Sequence, residues 1–305
     1  MPIPTSRTNE TARVLISEEL CNGCGLCVDV CKDFGLVIEN GKVKATGNRI
    51  FGCIACAHCM MICPQDAIRI DGRFTTSDDL FELPKKNEAA DYTSLLNLLK
   101  RRRAIREFKD TPVPQDIIDK IIAAAKTAPM GLPPSDVNVL VLDTKEKGMA
   151  FAKDYCEHLK NLKWIVSKLS LTLMKPFMSK SDNEMFRDFL KPLIDNYTAA
   201  MDRDENMVTY DAPLTMYFYG SPYTDPADPI IAATYAMIAA ESLGLGTCMI
   251  GGVHPFTQNG KSAAKFRAKQ NIKFKSREGL IVIMGYPRVK YHHCIARTFA
   301  SVDQP

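Results

Sequence analysis

At 305 residues the chain is longer than one domain usually runs, and its 46% hydrophobic and 24% charged residues allow a sizeable core. The net charge of +4 is too small to argue for nucleic acid. The longest apolar stretch, Ile230 to Val253, is broken by Glu241 and several glycines, so it reads as a buried helix and turn and not as a membrane span.

The start, Met1-Pro2-Ile3-Pro4, lacks a charged-then-apolar signal pattern, which sets the expectation of a cytoplasmic protein. Two cysteine runs come next. Cys21, Cys24, Cys27 and Cys31 stand at C-x2-C-x2-C-x3-C, and Cys53, Cys56, Cys59 and Cys63 repeat that spacing before Pro64. Three thiolates two residues apart wrap three corners of an iron–sulfur cube and leave the fourth to a distant cysteine. Where the pattern occurs twice, the fourth cysteine of each run ligates the other cluster. One 4Fe–4S cluster is thereby assigned to Cys21, Cys24, Cys27 and Cys63, and a second to Cys53, Cys56, Cys59 and Cys31. Structural zinc draws two pairs of ligands from separate knuckles, not three cysteines in seven residues. Disulfides need an oxidising compartment. Eight cysteines committed to clusters imply a reducing cytoplasm, in an anaerobe. Over about residues 12–75 the chain resembles a bacterial two-cluster ferredoxin, closely in Cys63-Pro64 followed by Asp66-Ala67-Ile68. Lys32 stands where the first run would carry the matching proline.

The runs are offset by about 32 residues, so the small domain is built on one duplicated unit. Between them, Leu36 to Glu39 and Lys42 to Lys44 flank Asn40-Gly41, a strong two-residue hairpin signal. Residues 1–75 hold eight Lys/Arg and eight Asp/Glu, so the whole +4 lies in the remainder. Thiolate-bound clusters make the small domain negative and the large one complementary. A polar stretch runs on through Thr75-Thr76-Ser77 and Pro84-Lys85-Lys86. Fully extended, residues 73–91 reach roughly 65 Å, which leaves open whether the small domain serves its own subunit or a neighbour. The domain division expected is 1–75, a linker at 76–91, and 92–305.

From Asp91 the chain changes character. Thr93-Ser94 precede Leu95, Leu96, Leu98 and Leu99, a capped apolar helix entering a basic run. Pro114 opens a second helix in which Ile117, Ile118, Ile121, Ile122 and Ala125 keep helical spacing, with Pro129 closing it. Val137 to Leu142 reads as a buried strand. Residues 151–210 read as mostly helical, with Trp164 as packing. Leu214 to Tyr219 and Leu280 to Met284 are further strands, and between them lies a helix from about Asp228 to Leu243, ended by Gly244. Few strands, not alternating with the long helices, argue for an α+β layer structure.

Three segments carry chemical signal. Arg101 to Phe108, with five charged side chains in the first seven residues, reads either as a solvated face or as a phosphate clamp, because guanidinium groups match phosphate oxygens bidentately. Ala128 to Ser135 reads either as a helix stop and rigid turn or as a loop whose backbone touches a planar ligand. Leu243 to Gly252 comes after a helix and lacks the G-x-G-x-x-G spacing, so it is no dinucleotide fingerprint. Its glycines mean a helix cap and tight turn, or close approach to a ligand. There is no P-loop. Cys248 and Cys294 read as buried small hydrophobes, and His292-His293 as an exposed turn.

Together, in this order, the three segments resemble the nitroreductase family of FMN flavoenzymes over about residues 92–300. With the N-terminal cysteine runs, the arrangement resembles the ferredoxin–nitroreductase fusions of anaerobes. The resemblance implies a central, mostly antiparallel sheet flanked by helices, preceded by a small ferredoxin-like domain. It puts Arg102 and Arg103 where the FMN phosphate and ribityl chain are held, and Ala104 where many members have serine. Arg106 falls beside the pyrimidine edge, where it would stabilise the negative charge that builds at N1 and O2 on reduction. Pro129, Met130 and Gly131 match the loop that reaches the flavin from the partner subunit. Met249, Ile250, Gly251 and Gly252 match the segment against the isoalloxazine ring, with Gly251 where many relatives have glutamate. Arg297, after Tyr286-Pro287, resembles the tail arginine that returns to the phosphate, and Lys290 is a second candidate.

The resemblance further implies an obligate homodimer with FMN and two 4Fe–4S clusters. It would pass electrons between clusters and a nitroaromatic, quinone or activated alkene, with no side chain as essential acid or base. The donor expected is reduced ferredoxin or NAD(P)H. The alternative is a non-enzymatic carrier with a structural flavin site, favoured by Ala104 and Gly251.

Overall fold

The computed structural model describes residues 2–47 and 49–304. The small unit has two two-stranded antiparallel sheets. β1 (Arg13–Ile16) pairs with β4 (Ile68–Asp71), placing Arg13 opposite Asp71, and β2 (Leu36–Glu39) pairs with β3 (Lys42–Ala45). Asn40 and Gly41 at the β2–β3 turn both have positive φ, 51° and 72°, as a tight primed hairpin turn requires. Two short helices, α1 (Leu26–Val30) and α2 (His58–Met61), complete the unit.

The duplication is written into the backbone. Gly23 and Ala55 (φ 73° and 61°), Gly25 and Ala57 (81° and 62°), and Phe34 and Asp66 (56° and 48°) are left-handed at matching positions. Each pair is 32 residues apart, as are the starts of α1 and α2 and of β2 and β4. Lys32 heads the same turn after its cysteine that Pro64 heads after the other. Leu36, Val43, Met60, Ile68 and Ile70 close a core of their own, shared with Cys21, Cys27 and Cys59.

The larger unit is a four-stranded antiparallel sheet in the order β5-β6-β8-β7: β5 (Val137–Leu142), β6 (Leu214–Gly220), β7 (Gly246–Ile250) and β8 (Gly279–Gly285). β6 and β8 are buried along their whole length, so they run apolar without alternation. One face carries Met216, Phe218, Leu280 and Val282 and packs against α4 (Gln115–Lys126) and α9 (Ala227–Ser242). The other carries Tyr217, Tyr219, Ile281 and Ile283 and packs with Phe151, Tyr155 and Leu159 of α5 (Lys145–Lys160), Ile194 and Met201 of α8 (Lys191–Met201), and Phe266 of α10 (Gly260–Lys269). Two short helices, α6 (Lys168–Met174) and α7 (Lys180–Glu184), lie between α5 and α8. The sheet is thus sandwiched between two helical layers, with two separate cores.

Several local expectations change. The first long helix, α3 (Tyr92–Arg101), is capped by Asp91, whose carboxylate accepts from the Thr93 and Ser94 amides at 2.8 and 3.1 Å. Asp91 wins because its side chain reaches forward to the free amides of the first turn. The glycine segment after α9 contains the edge strand β7: Gly244 (φ 83°) ends the helix, and the next residues pair with β8. Trp164 is 68% exposed and Cys294 is exposed, so neither packs in this chain's core. Cys248 is buried, and both His292 and His293 are exposed. Among the described residues, no helix is long and apolar enough to cross a membrane.

Candidate functional site

The eight cysteines of the small unit are all free thiols. Left-handed residues at 23, 25, 55 and 57 bend the backbone beside them, and the Gly23 and Ala55 amides bond Cys21 and Cys53, the kind of arrangement that cradles anions and sulfur clusters. The Ala67 amide donates to Cys63 Sγ at 3.3 Å. Cys21 is held below the ordinary thiol range, first by the Val43 amide and then by that of Gly23. Burial raises Cys27, and the neighbours adding to that rise are Cys63 and Cys24. Burial likewise pushes Cys59 up to about 12, with Cys53, Cys56 and Cys31 reinforcing it. The charge of Cys63 thus reaches Cys27 of the first run, and that of Cys31 reaches Cys59 of the second. Among the described residues these groups do not converge on a point that would hold a single metal ion. A cube with four separate irons asks for thiolates at separate corners instead.

In the larger unit the structure joins the arginine run to the glycine segment. The Ile105 amide donates to the Thr247 carbonyl at 3.0 Å, and Ala104 bridges Thr247 in parallel. Gly246 is required there, because a Cβ would come 2.6 Å from the Ile105 side chain. Arg106 lies over the Tyr210 ring at 5.6 Å, and its charge reaches Tyr197 and Cys248. Arg102 is half-buried, and its charge also reaches Cys248. Arg103 turns back on α3, donating to the Lys100 and Arg102 carbonyls at 2.8 and 2.7 Å.

On β7, Met249 is half exposed and Ile250 is buried. Gly251 opens on free space, and Gly252 lies against Leu193 and Tyr197. The Gly252 carbonyl accepts from Tyr155 Oη at 2.7 Å. Burial pushes the Tyr197 phenol up to about 12, with Arg106 opposing, and holds Tyr155 well above its ordinary range, so both remain donors.

Other expected residues lie elsewhere. Pro129, Met130 and Gly131 sit at the entry to β5, the edge of the sheet opposite β7, with the Gly131 amide bonded to Asp228 at 3.0 Å. Arg297 is exposed on a tail that is exposed from Lys290 to Gln304. Lys290 does approach the arginine run: it lines a cavity of about 620 Å³ with Lys100, Arg101 and Arg103. Tyr155, Tyr197 and Tyr210 had no sequence signal, because they lie in the helical stretch where only packing periodicity is readable.

The small and large units are fastened together by side chains that carried no motif either. Asp136, buried before β5, accepts from the Ser6 amide and hydroxyl at 2.7 and 2.5 Å and from Ser221 Oγ at 2.6 Å. Arg73, only 4% exposed, donates to the carbonyls of Ile3 (3.1 Å), Glu10 (2.6 Å) and Pro133 (2.7 Å).

Against known proteins, the nitroreductase family model matches residues 99–286, and a 4Fe-4S binding domain matches residues 14–33. The second match spans the first cysteine run alone. Among solved structures, the chain is similar to a nitroreductase with bound FMN from Desulfitobacterium hafniense DCB-2, at 19% identity and a TM-score of 0.48. That match covers 68% of this chain and 98% of the other. It is also similar to an FMN-dependent nitroreductase from Clostridium difficile R20291 (24% identity, 64% and 89% covered, TM-score 0.40). A third is a nitroreductase with bound FMN from Bacteroides fragilis NCTC 9343 (17% identity, 68% and 98% covered, TM-score 0.46). No curated protein matches the chain in sequence.

Proposed function

The chain belongs to the nitroreductase family, and from that premise we propose that it is an FMN- and iron–sulfur-dependent oxidoreductase acting on a small organic acceptor. The observation that carries the reading is the junction of Arg102–Arg106 with Thr247–Gly252. A cationic segment and a glycine edge lie side by side, with open space at Gly251. The donor set fits the phosphate and the ring of FMN. Arg102, with Arg103 and Lys290, offers cations for the phosphate, and Gly251 leaves room for a flat ring. Arg106 is held beside Tyr197 and Tyr210, where its charge would favour a reduced, anionic ring. Bound FMN would supply the electron chemistry.

Tyr155 fixes the Gly252 carbonyl and so orients the peptide that faces the ring. No side chain in this junction has the placement of an essential acid or base. In the small unit, the spacing of the two runs fits two 4Fe–4S clusters, and the reach of Cys63 to Cys27 and of Cys31 to Cys59 supports the crossed ligand sets. We take the protein to be a homodimer, because the Pro129–Gly131 loop and Arg297 do not meet the arginine run within one chain.

The test is an anaerobic absorbance titration of FMN- and cluster-reconstituted protein with NADH and, separately, with reduced ferredoxin. Bleaching of the flavin band with either donor, then reoxidation on adding a nitroaromatic or quinone, is expected. Protein that binds no FMN, or whose FMN neither donor bleaches, would instead be a simple cluster carrier.

A further inference from the structure

The two cysteine sets are not equivalent with respect to the large unit. The Ala12 amide donates to the Cys53 carbonyl at 2.8 Å, and two residues earlier the Glu10 carbonyl accepts from Arg73. Arg73 then crosses to Pro133. Its Nε–H is buried without a partner, and Cys53 is the sulfur that lies within reach of its charge. A buried N–H of this kind costs free energy unless something accepts from it. A sulfur of a cluster on Cys53 is the acceptor that the surroundings offer. Ser6 and Arg7 tie the same side of the small unit down, to Asp136 and to the Ser135 carbonyl. Among the described residues, no hydrogen bond or ion pair joins residues 13–45 to the large unit.

The docking place matters as much as the docking side. Residues 133–136 lead into β5, at one edge of the sheet. Gly251 and Arg106 lie along β7, three strands away, a lateral separation of roughly 14 Å. They also lie on opposite faces. Ala128, at the start of the docking loop, packs with Met216, Phe218 and Val282, whereas Tyr197 and Tyr210 beside Arg106 pack with Tyr217 and Ile281. A docked cluster unit thus sits on the far corner of the sheet from its own chain's flavin edge. A two-fold dimer removes the difficulty, because an isologous contact that brings one chain's β5 corner to the other's β7 edge does so twice.

We propose that the set Cys31, Cys53, Cys56 and Cys59 is the inboard cluster, held by Arg73, and that it exchanges electrons with the partner subunit's flavin and not with its own. The proposal rests on the functional reading above, that FMN lies along Arg102–Arg106 and Met249–Gly252. A one-electron donor such as reduced ferredoxin reduces the outboard set. Two successive one-electron transfers from the inboard set, with a proton from solvent, complete one flavin reduction.

The experiment uses full-length heterodimers purified through two different tags, reconstituted and mixed anaerobically with reduced ferredoxin. In the first, one chain carries Cys53→Ser and Cys59→Ser and its partner carries Arg102→Glu and Arg106→Glu, so only transfer between subunits is intact. In the second, all four substitutions are on one chain, so only transfer within a subunit is intact. The expected result is rapid bleaching of the single remaining flavin in the first and loss of that phase in the second. Bleaching in the second alone, in both or in neither overturns the proposal, provided that unsubstituted dimer bleaches. Unsubstituted dimer that bleaches with NADH but not with reduced ferredoxin overturns this proposal alone, and unsubstituted dimer that bleaches with neither overturns the functional reading itself.

The inboard assignment has its own readout in the paramagnetic resonance of the reduced clusters. Arg73→Met should shift to lower potential the signal that Cys59→Ser abolishes, leave the signal that Cys27→Ser abolishes, and be rescued by Arg73→Lys. A shift of the other signal, or of neither, removes Arg73 from this role.

Discussion

The two halves of the cysteine unit share a backbone and differ in what surrounds it. Left-handed residues, helices, strands and post-cysteine turns recur at a spacing of 32. Yet the first half is covered by its own hairpin, while the second borders the N-terminal segment, at Thr11 and Ala12, and Arg73, which reaches the large unit at Pro133. Gly23 shows the difference at one atom: a Cβ there would collide with the Gly41 carbonyl oxygen, because the β2–β3 turn closes over it. Its counterpart Ala55 keeps a buried methyl, because no hairpin comes after α2. A duplicated fold can thus give two similar cysteine sets different neighbours.

The largest effect that would break this comparison comes from the ligands. Cys27→Ser and Cys59→Ser should each take the iron content from about eight to about four per chain. They should differ in consequence: Cys59→Ser should abolish flavin reduction by reduced ferredoxin, and Cys27→Ser should slow it. Iron analysis with stopped-flow absorbance distinguishes them, and identical kinetics would mean that the halves are functionally equivalent.

Next in size is Gly23→Ala. The left-handed φ of 73° costs an L-residue about 1–2 kcal/mol before the collision with the hairpin is counted. A loss of at least about 2 kcal/mol in the cluster unit is expected, read as a lowered midpoint for bleaching of the cluster absorbance in denaturant.

Much of this was legible in the sequence, for physical reasons that also explain what was not. The cysteine spacing reports ligand geometry directly, because a cube dictates which residues can reach it. Strands β5, β6 and β8 and the helix after Ala227 announce themselves by composition. Edge strand β7 did not: Gly246 and Thr247 look like a turn until β8, more than 30 residues on, supplies a partner. Arg73 and Asp136 belong to no motif, and their importance comes wholly from burial between units. Trp164 and Cys294 err the other way, because apolar character does not say what will cover a side chain.

Arg106→Ala extends the comparison from the clusters to the proposed flavin edge, where a single cation would face the ring in place of a set of backbone amides. The variant should keep part of its FMN and lower the flavin potential. A loss of about 1.4 kcal/mol in favour of the reduced form corresponds to about 30 mV for two electrons. Spectroelectrochemistry reads it, and full occupancy with an unchanged potential would remove Arg106 from the role.

The smallest effects test the repeat where its two copies are chemically closest. Ala55→Gly relieves about 1–2 kcal/mol of left-handed strain. It loses about 0.8 kcal/mol for one buried methyl, since Ala55 is 3% exposed. It also adds about 0.5–1 kcal/mol of backbone entropy to be lost on folding. These contributions nearly cancel, so the bleaching midpoint should stay within about 1 kcal/mol of the unsubstituted protein. Ala57 has the same left-handed backbone with a partly exposed methyl, so the packing loss shrinks and the strain relief does not. Ala57→Gly should therefore be the more stable of the two by a few tenths of a kcal/mol, roughly the difference in methyl burial. The reverse order would mean that Ala57 is covered in the proposed dimer, by the same partner surface that the inboard cluster is proposed to serve.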